Sequence, residues 1–170
     1  MKREYYSNSI SSFLTADPEY VLGQLLINDA FETTDLQKNA WKREICILQT
    51  ELASFPDGEI AFEYTIPRIG HRIDVVCIIS GIIFLLEYKV GDREYKKSAE
   101  DQVMDYALDL KYFHEVSNER YLVPISVPTE ALAVENRLQV MEDKICEVLY
   151  CNKENIGLTI KSVLAEIQDS

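Results

Sequence analysis

The chain is poor in the residues that build the commonest protein metal sites. It has two histidines and four cysteines, Cys46, Cys77, Cys146 and Cys151. No two cysteines form a C-x-x-C, and the histidines complete no zinc spacing, which excludes a zinc ribbon or finger. Cys46 lies in an apolar helical pattern and Cys77 in an apolar strand, so both read as small buried hydrophobes. Disulfides are not expected in a reducing compartment. No apolar run is long enough to cross a bilayer, because Asp74 and Glu87 interrupt the longest. The N-terminal MKREYYSNSISSFL lacks the continuous apolar core of a secretory signal, so the expected location is the cytoplasm. Positive charge is scarce too: 17 Lys and Arg stand against 29 Asp and Glu, a net charge of −12. That argues against broad attraction to nucleic acid, although not against a local basic groove.

What is present suffices for one domain over residues 1–170, with 47% hydrophobic residues and a core filled in part by ten tyrosines and six phenylalanines. A Ser-rich lead precedes a short helix near Tyr20 to Ile27, with Asp17-Pro18 suited to its start. A longer helix is expected over 34–54, capped by Thr34 or Asp35, with Trp41, Ile45, Leu48 and Leu52 at helical spacing. Phe55-Pro56-Asp57-Gly58 reads as a turn and EIAFEYTIP as a strand ended by Pro67. Hairpin strands follow at 72–79 and 82–90. The next helix begins at Ser98, which with Asp101 resembles a capping box, and carries a stripe of Val103, Ala107, Leu110 and Phe113. RYLVPISVP should form a strand parallel to 82–90, since strand, helix, strand makes a crossover. A helix over 129–142, a short strand and a final helix complete an α/β sandwich: a mixed sheet, antiparallel meander first and parallel strand after, flanked by helices.

The hairpin HRIDVVCIISGIIFLLEYKVG raises a question. Apolar residues dominate both of its faces, as in a sheet covered on both sides by helices. Val76, Ile78, Ile83 and Leu85 would share the Asp74 face, with Val75, Cys77, Phe84 and Leu86 on the other. Yet the strands also carry Asp74, Glu87 and Lys89. With Ser80-Gly81 as a two-residue loop, Ile79 pairs with Ile82, and Asp74 comes to face Glu87. Alternation puts Lys89 on the face of Glu87. Two carboxylates about 5 Å apart repel by on the order of 3 kcal/mol at an effective dielectric of about 20. A divalent cation beside Lys89 would resolve the conflict, as would a proton shared between the acids. The structural alternative is a salt-bridge cluster at a strand end.

An acid on one strand, a hairpin, and Glu-x-Lys on the next resembles the core motif of the PD-(D/E)XK nuclease superfamily. Its pieces here are Asp74 and Glu87-Tyr88-Lys89. In QVMDY, Gln102 and Tyr106 match the Gln-x-x-x-Tyr element of the RecB-like branch. YYSNSISSFL, QKNAW, GIIFLLEYKVG and DQVMDYALDLKYFH further resemble the N-terminal region of a bacterial helicase family sometimes labelled Schlafen-like. The chain has no GxxxxGK[ST] phosphate loop, so the likeness is to the nuclease-like part alone. Ile73 replaces the proline that gives the motif its first letter, and the literal Pro-Asp at 56–57 falls in a turn.

The resemblance implies a restriction-endonuclease-like fold and metal-dependent hydrolysis of phosphodiesters, DNA first, with Mg²⁺ or Mn²⁺. Asp74 and Glu87 would be the principal ligands, with the Tyr88 carbonyl and an acid from the preceding helix, Glu44 in preference to Glu51. Glu63 is a further acid candidate. Lys89 would orient or deprotonate the attacking water, and Gln102 and Tyr106 would support the site or touch a nucleotide. Arg72, Arg93, Lys96 and Lys97, with Arg68, border it and could bind nucleic acid. His71 reads as a turn residue close to Asp74, and His114 as a helix C-terminal cation. An attached helicase domain or subunit and a homodimer are the implied protein partners, and no membrane is. The competing reading is a nucleic-acid-binding or protein-interaction module that cleaves poorly.

Overall fold

The computed structural model describes residues 3–29, 32–66, 70–113 and 119–168. Pro67, Arg68 and His114, and the side chain of Phe113, lie outside what is described. Six strands form one mixed sheet in sequence order: β1 (Tyr6–Ser9), β2 (Glu59–Thr65), β3 (Arg72–Ile79), β4 (Ile82–Lys89), β5 (Leu122–Pro128) and β6 (Leu149–Tyr150). The first four are antiparallel neighbours, and β5 and β6 join in parallel. The hairpin register is the expected one, with Ile79 opposite Ile82 and Val75 opposite Leu86. Its loop places both Ser80 (φ 51°) and Gly81 (φ 79°) in the left-handed region, as a tight hairpin turn requires.

Five α-helices are described: α1 (Ile10–Thr15), α2 (Pro18–Asn28), α3 (Asp35–Glu51), α4 (Lys97–Phe113) and α5 (Ile156–Gln168). Local chemistry sets their starts. The side chains of Ser9, Asp17 and Thr34 accept from the N–H groups of Ser12, Glu19 and Gln37, satisfying donors left open at each N-terminus. One sheet face carries α1, α2, α3 and α5, whose Phe13, Leu25, Trp41, Ile45, Leu48 and Ile160 pack on Val75, Cys77, Phe84 and Leu86. The other face carries α4, whose Val103, Ala107 and Leu110 pack on Val76, Ile83 and Leu85. The result is an α/β sandwich. No helix among the described residues is long and apolar enough to cross a membrane.

Three expectations fail. Residues 129–141 form no helix; only a 3₁₀ turn at Glu142–Lys144 follows them. They run as a strap whose main-chain carbonyls serve other partners: Tyr95 donates to Leu132 and Asn152 to Ala131. Asn136 reads Tyr150 from both sides, donating to its carbonyl and accepting from its N–H, and so pairs with the sheet edge. The Ser-rich lead, for which the sequence suggests no element, holds β1 and α1; an edge strand with Tyr6 as its one buried residue offers no apolar alternation to read. Helix α4 starts a residue before Ser98, and Asp101 pairs with Lys97 at 3.0 Å instead of completing a capping box. Cys46 is exposed, next in sequence to buried Ile45 but turned about 100° round the helix, onto the solvent side of α3. Cys77 is buried as expected, and burial pushes its thiol up to about 12.

Candidate active site

Strands β2 and β3 exchange faces at one point. Phe62 and Tyr64 should share a face of β2, yet Phe62 packs in the core under α1, α2, α3 and α5, while Tyr64 packs on the α4 side. Val75 and Ile73, their partners on β3, divide in the same way. Between these two pairs lie Glu63, whose φ is 54°, and Asp74. A non-glycine residue held at positive φ inside a strand costs of order 1 kcal/mol or more, so the surrounding packing enforces it. This turnover lets acids from strands with apolar faces meet at one end of the sheet.

Asp74 takes the place of a ladder bond. Its Oδ2 accepts the main-chain N–H of Tyr88 at 2.8 Å, just beyond the last Val75–Leu86 pair. On β4, Glu87 and Lys89 share a face, and Lys89 Nζ donates to Glu87 Oε1 at 3.2 Å and to Gln102 Oε1 at 3.3 Å. Gln102 Nε2 donates to Tyr106 Oη, one helical turn on, at 2.6 Å. From α3, Trp41 Nε1 donates to Glu63 Oε1 at 2.9 Å, and Arg72 Nε meets Glu63 Oε2 at 2.8 Å. The Arg72 guanidinium lies 5.0 Å from the centre of the Tyr5 ring and donates to the Tyr5 hydroxyl. A cleft of about 440 Å³ opens here, lined among others by Gln37, Glu63, Arg72, Asp74, Gln102 and Tyr106.

Four carboxylates therefore crowd one region: Asp74, Glu87, Glu63 and, from the buried side of α3, Glu44. Burial holds the Asp74 and Glu44 carboxyls well above the usual carboxylate range, with repulsion from Glu87 adding to it at Asp74 and repulsion from Asp74 at Glu44. Burial, then the Asp74 charge, pushes Glu63 up to about 7 against the donors on Trp41 and Arg72. Glu87 is also raised by burial, with Lys89 opposing. Glu44 Oε2 and Glu87 Oε2 are buried with no hydrogen-bond partner. A buried acceptor left unmatched costs about 1–3 kcal/mol, more if charged. Two orphaned oxygens in an acidic pocket fit a hard divalent cation, which takes oxygen ligands. As the side chains stand, no three His, Cys, Asp or Glu among the described residues are gathered at ligand distance. Glu63 is turned to Trp41 and Arg72, and Glu87 to Lys89.

The structure thus brings together Asp74, Glu87, Lys89, Gln102, Tyr106 and Glu44. The Tyr88 ring is buried on the α3 side, and its N–H is the group Asp74 holds. Glu51 is elsewhere, accepting from Gly157 N–H at the start of α5. Of the basic residues, Arg72 lines the cleft but is matched by Glu63, and Arg93 is exposed. Lys96 pairs with Asp92, and Lys97 with Asp101 and Glu100. Sequence reasoning passed over Gln37 and Tyr5, which reach the cleft or its arginine from the first turn of α3 and from the residue before β1. Neither carries a spacing signal. The chain matches no family model, and no curated protein or solved structure is significantly similar to it.

Proposed function

We propose that this domain is a metal-dependent nuclease that hydrolyses phosphodiester bonds, with DNA as substrate, working in the cytoplasm in the manner of the PD-(D/E)XK superfamily it resembles. The observation that carries the reading is the crowding of half-buried Asp74 with buried Glu87, Glu44 and Glu63 at one end of the sheet, with one oxygen each of Glu44 and Glu87 unmatched and Lys89 on Glu87. Crowding of this kind opposes folding, and the bonds of Glu63 to Trp41 and Arg72 and of Asp74 to Tyr88 offset it only in part, which points to a use for the cluster. Asp74, Glu87 and Glu44 would hold a Mg²⁺ or Mn²⁺ ion, with the Tyr88 carbonyl as a further ligand. Such an ion polarises a phosphoryl oxygen and acidifies water. The chain's own contribution is positional. Lys89, fixed between Glu87 and Gln102, presents an ammonium where a phosphate and its attacking water would sit. The hydrogen bond from Gln102 to Tyr106 holds that lysine in place from α4. Arg72 can leave Glu63 for a phosphate, an exchange that Arg geometry favours.

A second reading rests on charge. With a net charge of −12, and with Arg72, Lys96 and Lys97 already paired to acids, the surface suits a protein-facing module attached to a helicase better than a strong DNA binder. One assay separates the two. Single- and double-stranded DNA and RNA are incubated with the protein in Mg²⁺, in Mn²⁺ and in chelator, beside Lys89→Ala. Metal-dependent cleavage lost in the variant supports the nuclease. Binding without cleavage, unchanged in the variant, supports the module. A dimer, which would let two sites cut two strands, is read by sedimentation of the same samples.

A further inference from the structure

A row of polar side chains continues past the lysine. From Glu87 it runs through Lys89 and Gln102 to Tyr106, and the Tyr106 ring lies 5.5 Å from the ring of His71. His71 Nδ1 stands 3.0 Å from Asp109 Oδ2, one turn further along α4. His71 also lines the cleft with Asp74, Gln102 and Tyr106. A carboxylate only accepts, so the contact places a hydrogen on Nδ1 and fixes the ring plane. Nε2, on the far side of a half-exposed ring, has no hydrogen-bond partner among the described residues.

We propose that His71 is the proton donor to the leaving oxygen of the phosphodiester, with Asp109 as its positioning residue; this rests on the nuclease reading above. In-line displacement puts the attacking and leaving oxygens on opposite sides of the phosphorus. Lys89 stands at one end of the Gln102–Tyr106 row and the His71 imidazole at the other, while Arg72, the cation among the residues lining the cleft, is matched by Glu63. The water oxygen forms the new P–O bond at the Lys89 end and gives up a proton to solvent. The P–O bond on the His71 side breaks, its electron pair stays on the departing oxygen, and that oxygen takes the proton from Nε2 of the imidazolium. The neutral imidazole regains a proton from solvent, so the sum is one diester and one water giving a monoester and an alcohol. Without a donor the oxygen would depart as an alkoxide, a poor leaving group.

The test compares an oligonucleotide diester with the same diester carrying sulfur in place of the departing oxygen, since a thiolate leaves without protonation. The full chain is assayed as wild type, His71→Ala, His71→Asn, Asp109→Asn and Lys89→Ala, with circular dichroism on each. On the oxygen diester His71→Ala and His71→Asn should lose about 100-fold in kcat, and Asp109→Asn at least about 10-fold, with KM little changed. On the sulfur diester all three should fall within about 3-fold of wild type, whereas Lys89→Ala remains slow on both. Equal losses on the two diesters, or no loss in the histidine variants, overturn the assignment alone. No metal-dependent cleavage of either diester by wild type overturns the nuclease reading, and this one with it.

Discussion

Asp74 and Tyr88 are joined side chain to main chain, Oδ2 to N–H at 2.8 Å, where the β3–β4 ladder gives out. The bond, with the Lys89 charge, favours the Asp74 carboxylate in a setting that otherwise opposes it through burial and repulsion from Glu87. Asp74→Asn keeps an acceptor for Tyr88 and removes the charge. In chelator it should be more stable than wild type by about 1–2 kcal/mol in urea unfolding, while losing cleavage. A variant less stable than wild type would mean that the fold needs the Asp74 charge and not only an acceptor for Tyr88.

Stability should fall as pH rises. Glu63 goes from an ordinary 4.5 to about 7 in the fold, and Asp74, Glu44 and Glu87 are raised too. The native state holds these protons more tightly than the unfolded chain, so the Glu63 contribution is full below about 4.5 and is lost as pH climbs through about 7, and the other three act in the same sense. Calorimetry in chelator should give a Tm that drops between pH 5 and pH 8, with Mg²⁺ restoring much of the loss at pH 8. A Tm that rises over this interval contradicts the acidic cluster.

Gly157 tests the packing independently of any chemistry. A Cβ there would meet the Glu51 carbonyl oxygen at 2.6 Å, and the Gly157 N–H already bonds Glu51 Oε1. Gly157→Ala should push α5 off the end of α3 and cost about 1–3 kcal/mol, measured as a shift of the denaturation midpoint. Cleavage at low temperature should persist, because α5 contributes nothing to the cleft.

Asn136→Ala removes both bonds that bracket Tyr150, at 2.7 and 2.9 Å. The expected cost is about 1–3 kcal/mol. Hydrogen exchange should show early loss of protection at the Tyr150 amide, with β3 and β4 unaffected.

The central hairpin was legible because two physical rules agree there. A Ser-Gly turn fixes the register, and apolar residues on both faces demand helices above and below. That register carries Asp74, Glu87 and Lys89 to one end of the hairpin, although the ladder stops at Val75–Leu86 and Asp74 takes the Tyr88 N–H instead of pairing across to Glu87, and Glu44 follows from its spacing to Trp41 and Leu48. What the sequence hid is tertiary. The helix-forming composition of 129–142 yields to contacts with Tyr95, Asn152 and Tyr150, none of them local. The turnover at Glu63 depends on a positive φ that no residue type there announces. His71 gains its partner from Asp109, 38 positions away, which no periodicity could connect.

The most direct test of the acidic cluster as a cation site is calorimetric titration of Mn²⁺ into the wild-type protein and into Asp74→Asn at pH 7.5. Wild type should bind saturably, and the variant at least about 10-fold more weakly or not at all. Identical isotherms for the two proteins, or no binding by either, would contradict the cation site.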